Sequence, residues 1–176
     1  DPLWSRGLGD VYKRQVLYLL ACLSMSHPVL QRQYLFLHNV RFPMFAKYSE
    51  PHLYGSLVGQ TRNLYIPSTD NVTLGAWNYL PKAFCDAHVN ELQNTQAEAL
   101  NALFDEALRT YPTYVFLHGN GLNRAASFRV RTCTDIAQEL NANVFAIDYR
   151  GYGDSTGYPT EQGVVDDAYS LSLIHI

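Results

Sequence analysis

Cysteine is scarce in this 176-residue chain: Cys22, Cys85 and Cys133 are an odd number with no paired spacing. That pattern argues against a disulfide framework or a cysteine-based metal centre, and buried thiols are the default reading. Charge is sparse too, at 16% of residues, with 13 basic against 16 acidic side chains. Without a run of one sign the chain lacks the basic footprint that nucleic-acid binding needs. Neither an internal repeat nor a low-complexity tract occurs, which leaves solenoids and tails aside. The apolar run VLYLLACLSM, Val16 to Met25, stops at ten residues, half of the about 20 that a membrane-spanning helix needs. What is present is 47% hydrophobic, enough for a packed core rather than a disordered chain.

The two ends read as foreign to the rest. LSLIHI at the carboxyl end and DVYKRQ near the amino end back-translate to the two strands of one transposase-adapter sequence, one base out of frame, and SRGLG and DPLW fit its continuation. Residues 1–15 and 171–176 are therefore set apart as translated adapter. Val16 to Ser170 remains, an open-ended segment of 155 residues with ten basic and fourteen acidic side chains, about one domain in size. Within it, residues 16–42 read either as the tail of a membrane anchor with a juxtamembrane helix or as an ordinary buried helix interrupted at Pro28.

Residues 58–170 carry the signals of an α/β domain. TRNLYI (61–66) and VTLGAWNYL (72–80) predict two short strands joined by the turn cluster Pro-Ser-Thr-Asp-Asn. Asn71-Val72-Thr73 within that hairpin is an N-glycosylation sequon, usable in a secretory lumen. From Asn94, the positions Ala97, Leu100, Leu103, Phe104, Ala107 and Leu108 recur at helical spacing between Glu98, Asp105 and Glu106, so an amphipathic helix packed beside a sheet is expected. A strand at 113–117, a loop at 118–125, a helix over 126–141 facing inward through Cys133, Ile136, Ala137 and Leu140, and a strand at Val144 to Asp148 make a βαβ unit with parallel neighbours. Thr160 caps a further helix, and Glu161 suits its positive end.

In open α/β sheets ligands bind beyond the carboxyl ends of the strands. His118-Gly119-Asn120-Gly121 lies at one such end and Tyr149-Arg150-Gly151-Tyr152-Gly153-Asp154-Ser155 at the next. Glycine permits positive φ and close approach of backbone to ligand. Two glycine-bearing loops on one rim can therefore aim N–H groups at a developing negative charge, as an oxyanion hole requires.

YVFLHGN followed by VFAIDYRGYGDSTGYPTEQGVVDDA resembles the first half of an α/β-hydrolase-fold serine hydrolase. With LQRQYLFLHNVRFP, NLYIPSTDNVTLGAWNYLP and LHGNGLNRAASFRV, nearly all of Val16 to Ser170 is similar to the membrane-anchored lipases that cleave monoacylglycerols and lysophosphatidylserine. The resemblance implies an incomplete α/β-hydrolase fold behind a truncated anchor helix, a lipid ester as substrate and no cofactor or metal. It implies an oxyanion hole at Asn120 and Gly121, and substrate-rim loops carrying His118, Gly119, Leu122, Arg150, Gly151 and Tyr152. It also implies a single-pass protein of the endoplasmic reticulum or cell surface, with its hydrolase domain lumenal or extracellular and Asn71 accessible.

The resemblance is incomplete in two ways. The chain's one G-x-S-x-G string, Gly153 to Gly157, lies inside the DYRGYGDS motif after the fourth strand, and no nucleophile elbow follows a fifth strand as the resemblance requires; in this fold the acid and the histidine follow the serine. All three triad members are thus missing, His118 is not the catalytic base, and the fragment is expected to be inactive. At Gly121-Leu122-Asn123, relatives commonly carry a small residue and another glycine, so Leu122 changes the rim. Arg129 and Arg150 are read either as contacts for a phosphate head group or as clamps for neighbouring loops, Arg150 mainly the latter. Asp148 and Asp154 are read as loop anchors, Asp166 and Asp167 as a solvated face, and the last strand as an exposed edge. A soluble or peripheral hydrolase of thioesters or peptides and a non-catalytic ligand-binding relative are the alternatives. Oligomeric state is not legible.

Overall fold

A computed structural model describes residues 3–56, 58–94 and 97–173. The chain divides at Leu37 into two compact units. The first holds α1 (Leu3–Ser26) and α2 (Pro28–Phe36). Pro28 sits at the first turn of α2, where its missing N–H is one of the helix's orphans anyway. Leu37, at φ 47, closes that helix with its N–H on the Gln33 carbonyl. Val16 to Leu20 and Leu23 are exposed along α1. Among the described residues no helix is long and apolar enough to cross a membrane.

The second unit is a mixed sheet with helices. Its strands are β1 (Thr61–Pro67), β2 (Thr73–Tyr79), β3 (Thr113–Leu117) and β4 (Asn143–Ile147), in the order β1-β2-β4-β3. β1 and β2 form the expected antiparallel hairpin, with Thr61 opposite Tyr79 and Pro67 opposite Thr73. β4 pairs antiparallel with β2 and parallel with β3. The helices are α3 (Lys82–Ala87), α4 (Val89–Asn94), α5 (Ala97–Thr110), α6 (Ser127–Glu139) and α7 (Glu161–Leu173). The β3-α6-β4 crossover is the βαβ unit read from the sequence, within two residues at every boundary.

Side-chain alternation assigns the faces. Trp77 and Tyr79 of β2 stand opposite Ala146 and Val144 of β4, and on that face α6 packs through Val130, Cys133 and Ala137. The inward stripe of α6 runs through Arg129, Val130, Cys133 and Ala137. Leu140, expected on it, lies past the helix end and is exposed. α5 behaves as its periodicity predicts: Phe104 and Ala107 are buried with Leu80, Phe84, Cys85 and Leu92, while Asp105 and Glu106 face water.

The expected exposed edge is on a different strand. β4, last in the chain, lies between β2 and β3 and is buried throughout. The open edge is β3, whose Tyr114, Val115 and Leu117 are exposed. The crossover returns the chain inside β3, so an apolar strand is left at the margin of the sheet with an unpaired ladder.

Helix α7 carries a second correction. Asp167, expected to be solvated, is fully buried. It takes bonds from the Arg150 backbone N–H at 2.8 Å, from Nε at 3.0 and 3.2 Å and from Nη2 at 2.9 Å. The buried Arg150 requires a counter-charge, and α7 supplies it; Asp166 stays at the periphery beside Gln162. Thr160 does cap this helix, accepting from the Gly163 N–H at 3.0 Å. Gly163 is also where Arg150 crosses: a Cβ there would stand 2.7 Å from Arg150 Cδ and 2.6 Å from Nη1. Gly163→Ala should therefore destabilise the chain by about 2 kcal/mol in urea titration. The helix-propensity gain of about 1 kcal/mol is outweighed by displacement of a buried ion pair, worth about 3–5 kcal/mol when broken.

Candidate functional site

The rim at the carboxyl ends of β3 and β4 brings together the two glycine-bearing loops. Their arrangement starts from His118, whose side chain is buried. The Tyr149 N–H donates to its Nε2 at 3.4 Å, so Nδ1 carries the proton and donates to the Gly119 carbonyl at 2.7 Å. Tyr149 and Tyr152 pack edge-on against the ring, each 4.9 Å away. Burial, the largest influence, lowers the His118 pKa, with Asp148 pulling the other way. A neutral histidine held in one tautomer is a brace between loops.

The sign of that shift gives a test. The unfolded chain protonates His118 below about pH 6.5 while the folded chain resists. Its contribution to stability is thus complete above that pH and is lost as pH falls through the lowered folded value. The urea midpoint should drop on acidification from pH 7.5 to 5.5, and His118→Gln should flatten that dependence.

Arg129 governs the direction of the loop amides. It is buried, and its guanidinium donates to three carbonyls: Asn123 at 3.2 Å, Gly119 at 3.2 Å and Gly121 at 2.8 Å. In a trans peptide the C=O and the following N–H point in opposite directions. Drawing the Gly119 and Gly121 carbonyls inward therefore turns the Asn120 and Leu122 N–H groups away from Arg129. The Leu122 N–H is met by the Val40 carbonyl at 2.9 Å. The Gly121 N–H faces the hydroxyl of Tyr152, a phenol that burial pushes up to about 12. Of the two sequence candidates, Gly121 has its amide inside the loop pair, and the Asn120 amide points away from the Arg129 guanidinium. Gly121 at φ 68 and Leu122 at φ 61 turn the chain back. Leu122 occupies a left-handed conformation that glycine takes without cost, which is the physical content of the departure at 121–123.

The remaining sequence candidates are placed as follows. Gly119 and Asn120 are exposed and Leu122 is partly covered. Gly151 is buried at φ 81, and Tyr152 reaches the Asn120 side-chain oxygen at 3.4 Å. Arg150 turns away from the rim, to Asp167, Asp70 at 3.2 Å and Thr69 at 3.0 Å. Neither Arg129 nor Arg150 thus presents its guanidinium as a phosphate contact; both clamp loops. Asn71 is exposed on a 3-10 turn, Thr69–Asn71, between β1 and β2. Among the described residues no cluster of histidine, cysteine, aspartate and glutamate could hold a metal ion.

Sequence reasoning missed the largest feature, Arg124. Its side chain is fully buried, bonded to Asp148 at 2.7 Å, to both oxygens of Asp154 at 2.6 and 3.1 Å and to Asn63 at 2.8 Å. Tyr48 covers the guanidinium at 4.1 Å, and Tyr65 donates to Asp154 at 3.0 Å. Asp148 also accepts the Arg124 backbone N–H at 2.7 Å. Asp148 and Asp154 are the loop anchors expected of them, and Arg124 is their partner. Gly75 in β2 leaves the space: a Cβ there would stand 2.6 Å from Arg124 Nη1. No local periodicity marks such a residue, since its partners are 24 to 61 positions away.

The chain is 34% identical over 143 residues to the lysophosphatidylserine lipase ABHD12 of Xenopus tropicalis, a match covering 80% of this chain and 34% of that protein. The Gallus gallus protein of the same name is 32% identical over 175 residues, covering 95% of this chain and 43% of that protein, and human ABHD12B is 34% identical over 113 residues, covering 63% and 28%. The chain thus spans between about a quarter and under half of these relatives. No family model matches it. Among solved structures, a Pyrococcus furiosus esterase aligns with a TM-score of 0.47 at 20% identity, over 77% of this chain and 41% of that one. The homologues of this chain are therefore the ABHD12 lysophosphatidylserine lipases, and what it carries is part of an α/β-hydrolase fold.

Proposed function

We propose that the longer protein to which this chain corresponds is a serine hydrolase of lipid esters, monoacylglycerol or a lysophospholipid, working through an acyl-enzyme. The carrying observation is the pair of carbonyls, Gly119 and Gly121, drawn to the Arg129 guanidinium. By peptide planarity that pairing turns the Asn120 N–H away from Arg129, on this reading toward the strand rim, where an ester oxygen gains charge as it becomes tetrahedral. The homologues' names support the ester class. In this reading a serine outside the present chain attacks the ester carbonyl, a histidine outside it takes the proton, and Asn120 supplies one amide of the hole. The chain's one G-x-S-x-G string, Gly153 to Gly157, holds Ser155 buried with its hydroxyl donated to the Asp148 carbonyl at 2.6 Å; on this proposal Ser155 is a loop residue and not the nucleophile, and the chain by itself does not hydrolyse esters.

Residues 1–15 and 171–176 are, on the same proposal, translated adapter, and Val16 to Met25 belongs to a membrane anchor that places the 58–170 segment on the lumenal or extracellular side. The exposed apolar face of α1 supports the anchor, and the exposed Asn71 supports glycosylation on that side. Recovery of the flanking gene and expression of the longer protein test the reading. A fluorophosphonate should label one serine in a G-x-S-x-G elbow and block ester hydrolysis. A gene whose elbow lacks serine ends the proposal and leaves a ligand-binding relative.

A further inference from the structure

The segment Asn39–Ala46, NVRFPMF followed by alanine, shows large apolar side chains to solvent. Phe45 is 97% exposed, Met44 70%, Phe42 64% and Val40 50%. Contiguous exposed apolar surface on a folded domain marks an interaction site. This is no loose end, because its main chain is tied down: the Val40 carbonyl takes the Leu122 N–H at 2.9 Å and the Pro43 carbonyl the Asn123 side chain at 3.4 Å. Beyond it, the Lys47 N–H meets the Tyr54 hydroxyl at 2.7 Å and Trp77 Nε1 the Tyr48 carbonyl at 2.8 Å. Phe45 is held outward at φ 57, a left-handed conformation that a bulky side chain adopts only where its surroundings impose it. Beneath the strap lies a cavity of about 480 Å³ lined by Arg41, Pro43, Phe45, Tyr48 and Asp154 among others.

We infer that this strap is a membrane-interface anchor, seating the rim of the domain on an anionic phospholipid surface. Charge favours that occupant: within the strap, Asn39 to Ala46, the one ionised side chain is Arg41, exposed among the apolar side chains, while Lys47 just beyond is paired with Glu50 at 3.6 Å. A basic group beside Phe and Met side chains suits the headgroup boundary, where rings and thioethers enter the acyl region and the cation meets lipid phosphate. The strap's backbone bond to Leu122 ties this contact to the loop that carries Asn120. Lipid would then enter the rim from the surface on which the strap rests. The inference rests on the lipid-ester reading for its purpose but not for its test.

The test uses the full chain with Cys22→Ser, which removes the one exposed thiol and leaves the buried Cys85 and Cys133. An environment-sensitive nitrobenzoxadiazole label is attached at Phe45→Cys, or in a second protein at Val58→Cys, an exposed position outside the strap. Vesicles of phosphatidylcholine with phosphatidylserine should raise and blue-shift the emission at 45 several-fold more than at 58. The triple substitution Phe42→Ser, Met44→Ser, Val40→Ser should abolish the difference. Unchanged emission at 45 while the chain sediments with vesicles, through α1 alone, overturns the inference, as does a shift without lipid that grows with protein concentration and marks a second copy. Hydrolysis of a soluble short-chain ester by the longer protein needs no interface, so that reaction succeeds or fails independently of the label.

Discussion

Replacing Arg124 by methionine should cost about 3–5 kcal/mol of folding free energy, the usual consequence of leaving a buried charge unpaired. Asp148 is fully buried, and its two oxygens are held by Arg124, one through the backbone N–H and one through Nη1. Without the guanidinium that carboxylate has no countercharge among atoms that bond it. Against a total stability of about 5–15 kcal/mol for a domain, the loss is large, and a urea titration followed by circular dichroism measures it directly. Arg124→Lys should recover little, because one ammonium cannot span Asp148, both Asp154 oxygens and Asn63. Pairing Arg124→Met with Asp148→Asn should recover part, since the stranded charge is removed together with its partner. A single Arg124→Met midpoint equal to that of the parent chain would show that the network carries no stability.

The second large effect concerns chemistry. In the longer protein, Arg129→Met should lower kcat by about 10²–10³, the range seen when one oxyanion-hole donor is lost, with KM changed far less. Arg129 touches no substrate on this proposal. It is a positioning residue that fixes the Gly119 and Gly121 carbonyls and, through planar peptides, the Asn120 N–H. A merely structural role would lower the amount of folded enzyme and leave kcat per labelled active site unchanged, so activity is normalised to fluorophosphonate-reactive serine. Arg129→Lys supplies one donor group for carbonyls that need a fork, and a partial rescue is expected. A kcat per labelled site within about threefold of the parent's would remove the loop clamp from the mechanism.

Both predictions concern arginines that bring order to glycine-rich loops, and the same logic recurs at Arg150. Three buried or nearly buried guanidiniums hold the turns after β3 and β4, each against partners drawn from a different part of the chain. The rim is therefore shaped by charge pairing beneath it more than by apolar packing, and the glycines at 75 and 163 are the clearances those side chains require.

The local chemistry of the chain was enough to place every strand, the βαβ unit, the amphipathic face of α5 and the Thr160 cap. Period-2 and helical apolar patterns, turn residues and cap residues act over a few positions, so they can be read without knowing what lies across the molecule. The HGNG turn was legible for the same reason, because glycine's freedom of φ is a property of the residue. Sequence also carried the kinship that the 34% identity to a lysophosphatidylserine lipase makes explicit. Three things needed the folded chain. Strand order put β4 inside and left β3 at the margin, because a crossover's direction is chosen by which faces must be covered. Arg124 and Asp167 proved to be buried, because the cost of a charge in the interior is offset only by partners tens of residues away. The aim of the Asn120 amide, unlike that of Gly121, was decided by a guanidinium from the following helix, a through-space contact that no spacing along the chain encodes.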